Sequence, residues 1–404
     1  MIKNRKILIV TDSFPPNFAP RMGLLSYHLE KMGWDVTIIS EDNSEIHYNL
    51  PNLPKKVYRY NYQANASKTE YYLKSALNLI YDHKTNSFLN KFYKEIKNEY
   101  FDLVLCSTFN EFPLNLAYKI SKKLNIPLLC DIRDLAEQFG SKIYDTNGQT
   151  HNYIGRYFTN LLRKRRIQRR NYVLKKANAI TTISPWHLDF IKRYNKNVYL
   201  IYNGFSEKDF IAKEVKSNSF NIVYTGRLLD LNTRNPELLF NAIEELKLEK
   251  LRIVWYVDKT SKEIISKELE NYPITKSISE INNLVSVSAI PNLLNESSII
   301  LVLTNKSTED GPKGIMTTKF FEAIGVKKPV LCVRSDEGCL SQVIKETNAG
   351  LAATNVEEVK SFITKKYKEW ENNGFTRQEI VSREKFSREN QAKKFVEIFN
   401  SLIK

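Results

Sequence analysis

The sequence predicts an α/β chain of two doubly wound domains in tandem, and three observations predict it. Its 404 residues exceed what one hydrophobic core usually serves. Short apolar runs, read as parallel strands covered on both faces, alternate with amphipathic segments of helical length. The alternation breaks once, at a polar stretch poor in aromatics, and then begins afresh.

The first strand is Lys6–Thr11, followed by a Pro-rich loop over 13–21 and a helix over 22–32 that Gly33 closes. With a second strand over 35–40 this completes a strand-loop-helix-strand unit of the Rossmann type. The pattern recurs with a strand over 101–107, a helix over 114–124 and a strand over 127–134. Residues 44–100 are polar and Tyr-rich, and their weak periodicity predicts no definite element. A basic helix over 154–177 leads to strands over 179–184 and 198–204. Residues 206–219 are the expected linker. The second series has strands over 221–225, 252–257, 285–287, 299–304 and 329–333, with helices near 235–248, 260–270, 291–297, 317–326 and 338–346. The expected division is therefore 1–205, the linker, 220–377, and a charged helical segment over 378–404 that returns to the first domain. Two such domains would face a cleft with the carboxyl ends of their strands, where ligands of this architecture bind.

The formal charge of +16 suits nucleic acid, an anionic membrane or a phosphorylated ligand, and charge alone does not choose among them. No recognised nucleic-acid module accompanies it, so nucleic acid is not expected as a partner. Cys106, Cys130, Cys332 and Cys339 form no close pair and read as reduced thiols of a cytoplasmic protein. His28, His47, His83, His151 and His187 lack metal-ligand spacing, so no metal is expected. There is no signal-peptide pattern and no run near the ~20 apolar residues a membrane span needs.

Three stretches carry chemistry. Gly226 makes a tight exit from the strand NIVYT, and Arg227 projects there, where its planar fork suits a diphosphate; Arg234 can add a second cation. Taken singly, either arginine reads as a surface residue. In DGPKGIMTTKFFEAIGVKKPVLCV, a glycine-containing loop runs into a helix near Thr317, so free N–H groups and the helix dipole point at one place. Lys319 and Glu322 share one face of that helix. A carboxylate there can hold both ribose hydroxyls while the ammonium faces phosphate, and an ordinary surface ion pair is the alternative. In DIRDLAEQF, the residues Asp131, Arg133 and Asp134 end a strand, and they read either as a group that orients an acceptor hydroxyl and takes its proton or as a buried salt bridge.

Several segments in order, among them ILIVTDSFPPNFAPRMGLLSYHLEKMGWDVTIIS, PLLCDIRDLAEQF, ITTISPW, VYLIYNGFSEKDF, VYTGRL and KFFEAIGVKKPVL, resemble the retaining GT-B glycosyltransferases called family 4 or group 1. The resemblance implies a nucleotide-diphosphate-sugar donor held mainly by the second domain, a sugar or lipid-linked sugar acceptor held by the first, and no required metal or other cofactor. It implies that Arg227 and Arg234 clamp the diphosphate, that Glu322 holds the ribose, and that the amides of Met316, Thr317 and Thr318 meet phosphate. Gly23 would approach the phosphates from the first domain. DIRD resembles the Arg-Asp motif of the branch acting on lipid-linked acceptors. Two departures stand out: Gly314 occupies the place of an acid that commonly contacts the transferred sugar, and Arg21 replaces a small residue. Arg21 either touches phosphate or packs at the surface.

The segment 156–177 carries nine Lys or Arg residues with interleaved Tyr157, Phe158, Leu161 and Leu162, the pattern of a helix lying on anionic lipid or, equally, of a solvated helix. With the resemblance, it points to a cytoplasmic enzyme, peripheral at the membrane, in cell-surface glycan assembly. An epimerase acting on nucleotide sugars and a catalytically silent binding protein are the competing readings.

Overall fold

The computed structural model describes residues 5–42, 50, 53–62, 67–108, 111–139, 153–228, 230–231, 234–304, 313–333 and 338–403. Its chain divides into two compact units, 1–202 with 388–404, and 203–387.

The first unit runs β1 (Lys6–Thr11), α1 (Pro20–Lys31), β2 (Asp35–Glu41), β3 (Lys56–Tyr60), α2 (Lys68–Tyr81), α3 (His83–Ile96), β4 (Leu103–Thr108), α4 (Leu114–Leu124), β5 (Leu128–Ile132), α5 (Tyr153–Lys176), β6 (Ala179–Thr182), α6 (Pro185–Ile191) and β7 (Val198–Leu200). Its seven strands pair in the order β3-β2-β1-β4-β5-β6-β7, all in parallel. Successive residues of β1 feed opposite faces. Ile7 and Ile9 pack with Met22, Leu25 and Leu29 of α1, and Leu8 and Val10 pack with Phe88, Phe92 and Ile120 of α3 and α4. Strand order reverses between β1 and β4, so the crevice outside their carboxyl ends is the natural ligand position.

The second unit continues with β8 (Phe220–Thr225), α7 (Glu237–Glu245), β9 (Leu251–Val257), α8 (Lys259–Leu269), α9 (Pro273–Ser277), β10 (Ser279–Asn283), α10 (Ile290–Glu296), β11 (Ile299–Leu303), α11 (Thr318–Gly325), β12 (Val330–Val333), α12 (Cys339–Glu346), β13 (Gly350–Ala353) and α13 (Val356–Asn373). These six strands pair as β10-β9-β8-β11-β12-β13, again in parallel, with the switch between β8 and β11. α14 (Arg388–Leu402) then packs against α1 of the first unit.

Several expectations are corrected. The expected strand over 285–287 is absent: the edge strand is the more polar Ser279–Asn283, and 287–289 form one 3₁₀ turn with Val287 exposed. An edge strand has one neighbour and an open face, so it needs few apolar residues. The stretch 44–100 supplies β3, α2 and α3. Within 206–219, Lys213 donates its backbone N–H to Asn295 and Ser217 its own to Gly374, so these residues are packed into the second unit and the boundary falls at Tyr202.

Candidate functional site

In the second unit, β8 delivers its chain into a turn that only glycine tolerates well. Gly226 has a φ of +102°, and a Cβ there would lie 3.1 Å from Cε and Nζ of Lys319. Lys319, in the first turn of α11, lies over this turn with its ammonium 5.2 Å from the Tyr224 ring. Arg234 donates to the carbonyl of Arg227, as does the Tyr224 hydroxyl at 2.8 Å. Arg227 itself is 61% exposed, its Nε 3.3 Å from Asp258. Three cations thus gather at the carboxyl end of β8. Burial lowers the Lys319 pKa to about 8, Arg234 adds to the shift, and Glu322 one turn on opposes it.

The amino end of α11 is beside them. Thr317 is its N-cap, in extended conformation, and its side chain makes no capping hydrogen bond. Met316 is buried and Thr318 is exposed. Gly314 has a φ of +66°, a left-handed conformation that explains a glycine where an acidic side chain was the other expectation.

In the first unit, the candidates separate into two roles. Asp131 is fully buried and bound on every side: Arg21 gives it two parallel hydrogen bonds of 2.9 and 2.8 Å, and Ser107 and Thr181 add 2.9 and 2.8 Å. Burial alone would push the carboxyl up, but the Arg21 charge and hydrogen bonds hold it below the usual range. Such a carboxylate has no lone pair left for a substrate, so Asp131 is corrected from a catalytic candidate to a brace. Arg21 is also neither at phosphate nor at the surface: it is buried, donates further to the carbonyls of Ile201 and Tyr202, and lies against the Phe395 ring. Gly23 lies within α1 and not in the loop before it. Its N–H is spent on Ala19, and a Cβ would meet Leu50 and Pro15 at 2.5 and 2.7 Å, so packing accounts for the glycine.

Arg133 and Asp134 lie at the crevice. Arg133 is buried and pairs with Asp12, which follows β1, at 2.7 Å. Thr108, ending β4, reaches the other oxygen of Asp12 at 3.3 Å. Asp134 is half-buried; burial raises its pKa, Asp12 adds to the rise, and Arg133 and a hydrogen bond from Gln138 oppose it. Asp12 and Gln138 were not singled out in the sequence, although Asp12 directly follows the first strand, where fold logic places ligand contacts. Behind them, Arg170 of α5 holds Glu137 through two hydrogen bonds of 2.7 and 2.6 Å.

Among the described residues, no group of histidine, cysteine and carboxylate side chains could hold a metal, and the cysteines are free. His47 and His151 lie outside the described residues, as do the side chains of Arg156, Tyr157, Phe158 and Leu162. No described helix is long and apolar enough to cross a membrane.

Comparison with known proteins gives three kinds of result. The profile described as Glycosyltransferase Family 4 matches residues 22–208. No curated protein matches the sequence. Among solved structures, the chain is similar to sucrose-phosphate synthase from Thermosynechococcus elongatus, with a TM-score of 0.66 at 14% identity over 98% of this chain and 99% of that one. It is also similar to Anabaena HepE in complex with UDP, with a TM-score of 0.65 at 12% identity over 98% and 100%. A third likeness is to a putative UDP-N-acetylglucosamine 2-epimerase from Listeria monocytogenes, with a TM-score of 0.55 at 13% identity over 98% and 96%. The chain therefore has the two-domain GT-B fold, and residues 22–208 are similar to the Glycosyltransferase Family 4 profile.

Proposed function

We propose that the protein is a retaining, metal-independent glycosyltransferase that moves a sugar from a nucleotide-diphosphate-sugar to an acceptor hydroxyl in cell-surface glycan assembly. The observation that carries this reading is the gathering of Lys319, Arg234 and Arg227 at the Gly226 turn, beside the uncapped amino end of α11, with Glu322 one turn on. Cations and free amides at one point suit a diphosphate, and a carboxylate at that spacing suits a ribose. The names of the similar structures, HepE with UDP among them, favour a nucleotide sugar as donor.

In this reading the second unit holds the donor, and the amides of Met316, Thr317 and Thr318 meet the phosphates. Asp134, steered by Arg133 and Asp12, orients the acceptor hydroxyl and accepts its proton, or shares that proton with the departing diphosphate. An anionic or lipid-linked acceptor is favoured by charge: the first unit has 35 basic and 19 acidic side chains, the second 26 of each, so the whole +16 sits on the acceptor side.

The test is a thermal-shift screen of nucleotide sugars followed by calorimetry with the best one. We expect Glu322→Ala to weaken donor binding by roughly 30-fold or more, the loss of about two charge-assisted hydrogen bonds, while the unliganded melting point holds. Unchanged affinity would remove Glu322 from the ribose. An epimerase is the second reading, favoured by the Listeria likeness. It predicts that an altered nucleotide sugar is released with no acceptor present.

A further inference from the structure

Two successive residues of α5 reach acids on the two loops that follow β4 and β5. Arg170 holds Glu137, on the turn after β5, by two hydrogen bonds of 2.7 and 2.6 Å. Arg169 approaches Glu111, in the loop after β4, but stops at 3.6 Å, beyond hydrogen-bond reach. The same Nη1 of Arg169 lies 3.1 Å from the carbonyl of Asn78 in the last turn of α2, and its Nη2 lies 3.4 Å from that of Ile80. One jaw of this clamp is closed and the other stands open.

The open jaw holds an incompletely satisfied acid. Oε1 of Glu111 is sealed from solvent, and among the described residues it has no hydrogen-bond partner. Burial raises the Glu111 pKa to about 7; Arg169 opposes the rise, Asp82 at the junction of α2 and α3 adds to it, and Arg166 of α5 opposes it. Other cations nearby are committed, Lys84 of α3 to Glu41 and Lys119 of α4 to Asn86. Burial would raise Glu137 as well, but the hydrogen bonds and charge of Arg170 hold it below the usual range. An ionised Glu111 therefore has a buried, charged oxygen without a donor, and Arg169 relieves it by leaving Asn78. The loop can pass such a movement on. The Leu114 N–H donates to the Glu111 carbonyl at 2.8 Å, and the Thr108 hydroxyl donates to the Phe112 carbonyl at 2.6 Å. That hydroxyl also lies 3.3 Å from Asp12, the partner of Arg133, and it has one proton to give.

We propose that Arg169 is a positioning residue of the acceptor-side crevice and that Glu111 is its proton-operated latch. Ionised, Glu111 draws Arg169 off the end of α2 and ties the loop after β4 to α5, as Arg170 already ties the turn after β5. Protonated, it lets Arg169 return to Asn78. The latch stands on contacts within the first unit, and only its effect on transfer rests on the glycosyltransferase reading.

The experiment follows the Glu111 carboxyl by ¹³C NMR in protein labelled at glutamate, with Glu111→Gln assigning the resonance. Its midpoint should lie near pH 7 and rise by about one unit in Arg169→Gln, which removes the opposing cation. The Asp82 amide, which donates to the Asn78 carbonyl at 2.9 Å, reports whether Arg169 moves. Its ¹⁵N–¹H shift should follow the Glu111 midpoint in the unaltered protein and be flat through that range in Glu111→Gln. A Glu111 midpoint in the ordinary glutamate range overturns the proposal, and so does an Asp82 amide that titrates alike in both proteins. This comparison decides even if Arg169→Gln fails to fold. A second arm measures single-turnover transfer against pH at saturating donor. We expect an inflection near pH 7 that Glu111→Gln removes while donor affinity is untouched, and an identical profile in the variant removes the positioning role. A latch seen by NMR with no transfer by the unaltered protein from any nucleotide sugar sinks the glycosyltransferase reading and leaves the latch standing.

Discussion

Lys319 shows how one side chain ties local packing to ligand chemistry. Its ammonium is pressed against the Gly226 turn and the Tyr224 ring with Arg234 as a like-charged neighbour, so its pKa falls to about 8. Between that value and the ordinary lysine value of the unfolded chain, the unfolded state binds more protons, so the cost of charging Lys319 is present below about pH 8 and fades as pH rises above it. A bound diphosphate would reverse this, since a nearby anion favours the charged form. Nucleoside diphosphate binding near pH 8.5 should therefore take up a proton, seen by calorimetry in buffers of different ionisation enthalpy, and affinity should fall from pH 7.5 to 9.5. Phosphate titrates at roughly pH 6 and is silent there. Lys319→Gln should bind weakly and without proton uptake; equal uptake in that variant would mean another group titrates. The same scale explains what sequence reading missed. Asp131 and Asp134 are three residues apart and chemically alike, and only the buried Arg21, far away in the chain, separates the brace from the half-buried group.

α5 is the element whose charge has two uses. Arg165 and Arg169 donate to the carbonyls of Asn78 and Ile80 in the last turn of α2, where cations meet the negative end of the helix dipole. Arg170 is spent on Glu137, while Lys164, Arg166, Lys175 and Lys176 are exposed. Lys164→Gln with Arg166→Gln should weaken binding to anionic vesicles by about 30-fold, at about 1 kcal/mol per cation, and leave melting unchanged. Arg165→Gln with Arg169→Gln should instead lower the melting temperature. Vesicle sedimentation at two salt concentrations checks the first pair, and binding indifferent to salt and to those charges would make α5 a solvated helix. Element boundaries were legible wherever a strand is buried on both faces, as at Lys6–Thr11, or a helix carries a strong apolar stripe, as at Leu114–Leu124. They failed where the signal is diluted. In α3 the buried Phe88, Phe92 and Ile96 recur every four residues, but lysine and asparagine fill the intervals, and β3 reads KVYRY because it is an edge strand. α13 was likewise not assigned, although Asn355, which accepts from the N–H of Glu358, caps its start.

At the scale of the molecule, the first unit is assembled from two separated pieces of chain. Phe395 and Phe399 of α14 enter the same core as Ile7, Leu25 and Leu29, and the Phe399 ring meets Trp34 edge-on at 5.3 Å. Phe399→Ala should cost about 3–5 kcal/mol and lower the melting transition of the first unit alone. Differential scanning calorimetry resolves this, and a shift of the second unit's transition by the same amount would show that the two melt as one.

That arrangement makes the second unit an insertion in the first, with consequences for the nascent chain. When Tyr202 leaves the ribosome the seven-stranded sheet is laid down, yet the face of α1 that α14 covers stays open until everything through Ser387 has been made. The later piece of sequence is thus the earlier to be finished. The second unit can close over its own core while the first still shows a greasy flank, and that interval is when a chaperone would be needed or an unlike chain would be captured.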